Sequence, residues 1–384
     1  MEIVSSIYHV FMALVIFFSG ALISIAAGRS FGIYTIKSLI LYTWHTAFSL
    51  LYCWYVLSYG GDSIGYFLEG QSWSGRFAVG TDAVGAISAL LVSGLGLSIL
   101  GTFLVFNIFG QIGLLAFWGS LRQATIGKAW RIRALVTLII FLPSVSFWTS
   151  ALGKDALSFM ATGLALWSSL KLSRRGLLMV FSILVMLIVR PHMAGIMVLA
   201  VTAASLVDSR ASIIKKLFLG LFASGAAVAL VPFALRYAGV GELVSVDTLS
   251  NYIDQRQRYN TEGGGGVDIA SMSLPMQMFT YLFRPTFFEA RNLFSLAAAV
   301  DNFILLLLSL LGLYSLLHGR KSGLRENRVF MWVYVFGSWL ILAMTTANMG
   351  IALRQKWMFA PMLIFLLISV IGRRRQAISN TNSG

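Results

Sequence analysis

Apolar runs long enough to cross a bilayer recur along the whole chain, and short basic stretches separate them. That alternation leaves few folds open. In hydrocarbon every backbone N–H and C=O must be satisfied within the protein, and a helix of about 20 apolar residues does this while crossing roughly 30 Å. Of the 384 residues, 58% are hydrophobic and only 11% are charged, whereas a soluble domain carries about a quarter charged residues. Too little polar surface remains to solvate a globule of this size. The sequence therefore predicts an all-α polytopic membrane protein, with residues 1–384 forming a single transmembrane domain.

Six stretches are strongly basic: Arg29 to Lys37, Arg122 to Arg133, Lys171 to Arg175, Arg210 to Lys216, Arg320 to Arg328 and Arg373 to Arg375. The positive-inside rule puts all of them on the cytoplasmic side, so the chain crosses an even number of times between neighbours, and the apolar lengths allow two. The predicted spans are roughly 4–27, 38–58, 98–120, 134–150, 156–170, 177–189, 193–207, 217–236, 297–318, 329–347 and 357–372. This gives about eleven helices, with the N-terminus outside and the C-terminus inside. The inner loops then hold 19 basic residues against Asp208 and Glu326. The net charge of +15 is thus mainly an orientation signal, with some contact to anionic lipid, and not a nucleic-acid footprint.

Three regions need a separate account. Residues 84–97, within the first outer loop (59–97), are apolar but short and glycine-rich, which suits a re-entrant or interfacial helix. Residues 177–207 divide into two short helices at Arg190-Pro191-His192, because one long helix would put Arg174 and Lys215 on opposite sides. The long outer loop 237–296 holds Gly263 to Gly266 and ends in an aromatic run, 276–294, expected as a helix lying in the interface.

Several function classes drop out. Glu2 is present and no Lys or Arg precedes Arg29, so the first apolar run reads as a retained helix instead of a cleaved signal. Cys53 is the only cysteine, which excludes an internal disulfide and multi-cysteine metal sites, and as a small apolar packer it needs no other role. There is no P-loop, no dinucleotide fingerprint and no HExxH. Neither a metal nor a cofactor is expected.

The informative residues are charges on the outer side, where the positive-inside rule disfavours Lys and Arg. They are Asp62, Lys154 and Asp155, Arg190 and His192, Arg256 and Arg258, Arg284, Glu289 and Arg291, then Arg354 and Lys356. A charge at the hydrocarbon costs a few kcal/mol even on insertion scales, so a residue that opposes the global bias has a separate reason to be there. Plainer roles compete at each position. Arg256 and Arg258 suit a solvated loop face, Asp155 complements a helix N-terminus, and Arg284 and Arg291 suit snorkelling anchors. Arg190, interrupting an apolar run, is the hardest to explain that way. His9 and His45 sit on apolar faces as core residues, and Asp301 is placed to pair one of the cations. Cations with a few carboxylates at headgroup depth suit a lipid-linked pyrophosphate, since Arg offers phosphate a two-pronged donor set and Lys a point charge.

The ordered series GGDSIGY (60–66), FWTSALGKDAL (147–157), RPHMA (190–194), FRPTFFEARN (283–292) and NMGIALRQKWMFAP (348–361) resembles bacterial exopolysaccharide and O-antigen polymerases of the Wzy and EpsG type, among the GT-C-like membrane glycosyltransferases. The resemblance implies a multi-pass protein of the bacterial inner membrane that transfers a glycan from undecaprenyl pyrophosphate onto an acceptor glycan, both donor and acceptor being lipid-linked oligosaccharides. A polysaccharide chain-length regulator is a further partner it admits. On this reading Arg190, Arg284, Arg291, Arg354, Lys356 and Lys154 bind the pyrophosphate, and Asp62, Asp155, Glu289 and His192 are the candidate bases, Asp62 first. GT-C enzymes often carry a paired acidic motif; Asp62 has no close acidic neighbour in the sequence, which argues for a metal-independent reaction. The competing functions are a flippase or transporter of lipid-linked glycans, a ligase-like or single-sugar transferase, and a non-catalytic scaffold subunit.

Overall fold

The computed structural model describes residues 2–75, 77–207, 225, 272–320, 322–324 and 327–372. Among them the chain forms fifteen α-helices and no strand. In order these are α1 (Ile7–Ser30), α2 (Thr35–Tyr59), α3 (Asp62–Gln71), α4 (Thr81–Ala89), α5 (Ile99–Thr125), α6 (Trp130–Ile140), α7 (Pro143–Thr149), α8 (Lys154–Ser169), α9 (Leu172–Val189) and α10 (Pro191–Val207). After residues 208–271 follow α11 (Leu274–Phe283), α12 (Leu293–Leu317), α13 (Arg328–Thr345), α14 (Met349–Gln355) and α15 (Ala360–Val370).

Among the described residues six stretches are long and apolar enough to cross a membrane: α1, α5, α6 with α7, α9, α12 and α13. A seventh forms if α14 with its following turn and α15, bent by 63°, count as one span. Of the eleven crossings expected, the described residues thus hold six or seven helices of sufficient length and hydropathy. Ten predicted spans fall on described helices, and the eleventh, 217–236, lies outside the described residues except for Gly225. Four of the ten fall short by themselves, among them α15 with 11 residues. With 16 and 17 residues, α8 and α10 are too short, and α2 is long enough but rich in Tyr, Trp, Ser and Thr. The chain breaks at Arg190 as expected, with φ −145° and ψ 78° between α9 and α10. The aromatic run 276–294 overlaps the ten-residue α11, and its Tyr281, Leu282 and Phe283 are buried. Residues 237–271 of that outer loop, with Arg256, Arg258 and the glycine run, lie outside the described residues.

At the centre stand α5, α8 and α15. In its most apolar window α5 is 78% buried, against 22% for α1 and for α9. Every residue of α15 is buried. Water does not drive helices together inside lipid, so close backbone approach and interhelical hydrogen bonds do that work. Gly113 of α5 and Gly163 of α8 show the first: a Cβ on either would clash with the other helix's backbone. Asn107 and Gln111 of α5 show the second, donating to Thr46 at 2.9 Å and to Ser24 at 2.8 Å. Around this centre α1 buries only the stripe Ala13, Ile16, Gly20, Ser24 and Gly28 and leaves Ile7, Phe11, Phe18 and Leu22 exposed, as a lipid-facing helix should.

The helix ends sort into two groups. Residues from the basic stretches meet at one end, where Lys128 Nζ donates to the carbonyls of Ile368, Ser369 and Ile371 at 2.6–2.9 Å and Arg328 donates to Ser369 Oγ at 2.7 Å. Lys128 thus satisfies carbonyls at the C-terminus of α15, and both cations complement its dipole. At the other end the helix termini assigned to the outer side surround a cavity.

Candidate functional site

Each charged wall of this cavity comes from a helix terminus. The α2 helix stops at Tyr59, Gly60 turns the chain with φ +84°, and α3 opens with Asp62 in its first turn. Likewise α8 opens with Lys154 and Asp155. Carboxylates in a first helical turn are stabilised by the partial positive charge there. Ser63 Oγ donates to the Leu152 carbonyl at 2.7 Å and so ties the start of α3 to the loop before α8. Arg190 lies at the break between α9 and α10, where Pro191 suits the first helical position because its missing N–H would have no helical partner. Arg354 is in the last turn of α14, a helix started by Asn348, whose side chain accepts from the Gly350 and Ile351 amides.

Four of these side chains form an alternating line. Arg190 Nη2 donates to Asp155 Oδ1 at 2.7 Å, Arg354 Nε faces Asp155 Oδ2 at 3.6 Å, and Arg354 Nη1 donates to Asp62 Oδ2 at 2.7 Å. The line runs from interior to opening. Arg190 and Asp155 have side chains 10% and 13% exposed, Arg354 24%, and Asp62 61%. Lys154 adds a third cation and donates to Thr81 Oγ1 at 2.7 Å. The cavity encloses about 300 Å³ and is lined by all five of these residues and by His192. Three cations against two carboxylates leave it positive by one with His192 neutral. The Nε donors of Arg190 and Arg354 are buried with no hydrogen-bond partner within 3.5 Å among the described residues, and that of Arg354 is turned toward Asp155.

Of the ten residues singled out in the sequence, six therefore share this cavity: Asp62, Lys154, Asp155, Arg190, His192 and Arg354. Arg284, Glu289, Arg291 and Lys356 are not among its lining residues. Arg284 pairs instead with Glu289, and Thr286 closes a capping box on the same carboxylate. Those hydrogen bonds, Arg284's first, hold the Glu289 carboxyl down at about 2, an ionised and occupied group poorly suited to take up a proton. Arg291 is exposed beside the start of α12. Lys356 lies two residues beyond Arg354, and on helical backbone that spacing points side chains to different faces. It is buried, donates to Asn302 Oδ1, and lines a separate small cavity with Asp301.

The sequence reading missed Tyr52, Tyr66, Thr346 and Gln355, which complete the walls. Tyr66 was detectable, since four residues from Asp62 it shares that residue's face of α3. Burial pushes its phenol up, and Asp62 and then Asp155 push the same way, so it remains a proton-bearing donor at neutral pH. Tyr52 reads in sequence as one more membrane aromatic. As a whole the site can grip an anion with two guanidiniums and an ammonium while presenting a carboxylate at its mouth. Among the described residues no cluster of three or more His, Cys, Asp or Glu could hold a metal ion. Comparison with protein-family models, with curated proteins and with solved structures finds no match for the chain.

Proposed function

We propose that this chain is a membrane glycosyltransferase that polymerises glycan repeat units carried on undecaprenyl pyrophosphate, at the outer face of a bacterial inner membrane. The observation that carries the reading is the line Arg190–Asp155–Arg354–Asp62 in one cavity of about 300 Å³. Such a volume is at the small end of ligand sites and takes a pyrophosphate with part of a sugar. In the reaction a hydroxyl of the acceptor glycan attacks the anomeric carbon of the donor. The bond from that carbon to the pyrophosphate oxygen breaks, the hydroxyl proton passes to Asp62, and the lipid pyrophosphate leaves with the bonding electrons. Arg190, Arg354 and Lys154 bear on the leaving group's growing charge. Asp155 holds the two arginines apart and aimed, and Tyr66 donates a hydrogen bond without ionising. Donor and acceptor are both lipid-linked oligosaccharides, and no metal or cofactor enters the scheme.

The orientation belongs to the same proposal: about eleven crossings, N-terminus outside and C-terminus inside. It is supported by the sorting of basic loops to one end of the bundle and of the cavity to the other. A flippase would use the same cations for transport, but it needs access from both sides, and the charged lining residues come from helix ends of one side. Glycan chain length in a strain lacking the protein separates the two. Single-unit glycans on the surface support a polymerase, while loss of all surface glycan sinks the proposal in favour of a flippase.

A further inference from the structure

The two carboxylates of the line differ in how firmly they are held. Asp155 is buried between two guanidiniums, and α8, which carries it, packs on α5, α7, α9 and α15. Asp62 touches the line at one point, Arg354 Nη1, and its side chain is 61% exposed. It follows a Gly60–Gly61 joint; a Cβ at Gly60 would meet nothing within 4 Å, and its φ is +84°. Glycine there leaves the link between α2 and α3 wide backbone freedom. Among the described residues the one ion pair Asp62 makes uses a donor of Arg354, an arginine that lines the cavity. A diphosphate entering from the mouth therefore meets a guanidinium already partly occupied by a carboxylate, and the two anions compete for it.

We infer that Asp62 and the diphosphate exchange places on Arg354, so that the donor's own binding releases the carboxylate that serves as base. While Asp62 is paired with Arg354, one of its carboxylate oxygens accepts from the guanidinium and is not open to an acceptor hydroxyl. Once phosphate oxygens take Arg354, Asp62 is freed at the mouth of the cavity, beside the leaving group and on the side from which an acceptor hydroxyl arrives. Asp155 stays fixed throughout and keeps Arg190 and Arg354 in register. The site thus arms its base only when the donor is present, which limits proton transfer in the empty cavity. This rests on the glycosyltransferase reading and adds to it an order of events at one residue.

The test is a binding measurement on the purified full chain in detergent or nanodiscs. The probes are farnesyl diphosphate, for the lipid-linked source, and inorganic pyrophosphate, for the free anion. An exposed ion pair is a weak competitor, so replacing Asp62 by Asn should tighten both probes by about twofold to fivefold. Asn is well tolerated at helix starts; Asp62→Ser is the second variant should Asn not fold. Glu69→Gln is the control, a carboxylate of the same helix outside the cavity lining, and should leave both affinities within about 1.5-fold of wild type. Unchanged or weaker binding by both Asp62 variants overturns the exchange, as does an equal gain in Glu69→Gln, which would make it a general field effect. The glycosyltransferase reading fails separately: it is contradicted if farnesyl diphosphate binds no better than pyrophosphate in every variant, whatever the ratio between variants. Absence of binding by either probe to any variant overturns both.

Discussion

Arg354 Nη1 donates to Asp62 Oδ2 at 2.7 Å, joining residues 292 positions apart. The same guanidinium turns its Nε toward Asp155 at 3.6 Å. One planar group thus faces two carboxylates in two directions. A lysine in its place would supply the charge from a single flexible point.

Arg354→Lys should therefore fail although it conserves charge. Losing a preorganised donor to transition-state charge costs about 3 kcal/mol, roughly a hundredfold in rate. The check is turnover of a lipid-linked donor by the purified variant at saturating substrate. Activity within a few-fold of wild type would show that only the charge of Arg354 matters.

Asp155→Ala should damage the fold as well as the reaction. It leaves Arg190 and Arg354 close together and poorly exposed, with no carboxylate between them. Removing one partner of a buried pair typically costs about 3–5 kcal/mol. A clear fall in melting temperature in detergent is expected, with weaker diphosphate binding because the two arginines separate. A variant that melts like wild type would mean that Asp155 is not the brace between them.

Much of this site was legible in the sequence for one reason. Asp62, Lys154, Asp155, Arg190 and Arg354 are charges at ends of apolar segments, on the side where basic residues are disfavoured. Helices fixed in a membrane bring ends of one side into one plane, so side assignment already narrows which charges can meet. What failed was rotation about the helix axis. Arg354 and Lys356 looked like one cationic mouth, but α14 and the turn after it turn them to different faces, and Lys356 runs inward to Asn302. Arg284 and Glu289 find each other across a proline-containing turn, a pairing that no helical spacing rule anticipates. At α8 and α10 the sequence reads as full crossings where the helices have only 16 and 17 residues.

Lys356 gives a prediction that separates structure from binding. It is buried with Asp301 and Asn302 in the bundle interior. Lys356→Met should destabilise the protein, because the buried Asp301 loses the cation beside it. Adding Asp301→Asn should recover most of the lost melting temperature, with a coupling of about 1–3 kcal/mol. If the two substitutions are simply additive, the pair does not interact.

The orientation is open to labelling, since Cys53 is the only native cysteine and is buried. In a Cys53→Ala background, Ser74→Cys lies in the first outer loop and Ser322→Cys in the basic loop after α12. A membrane-impermeant maleimide added to right-side-out cells should label the first and spare the second until the membrane is opened. Labelling of both, or of Ser322→Cys alone, contradicts the assignment of sides.

In the proposed reaction Asp62 removes a proton during glycosyl transfer at a site whose cations hold the lipid pyrophosphate. A base acts in the chemical step and adds little to ground-state affinity. The most direct measurement is product chain length and rate for Asp62→Asn, set beside donor binding by the same detergent-solubilised preparation. The account predicts no chain extension with donor binding no weaker than wild type. Wild-type chain lengths made by Asp62→Asn would contradict it and move the base to Asp155 or His192.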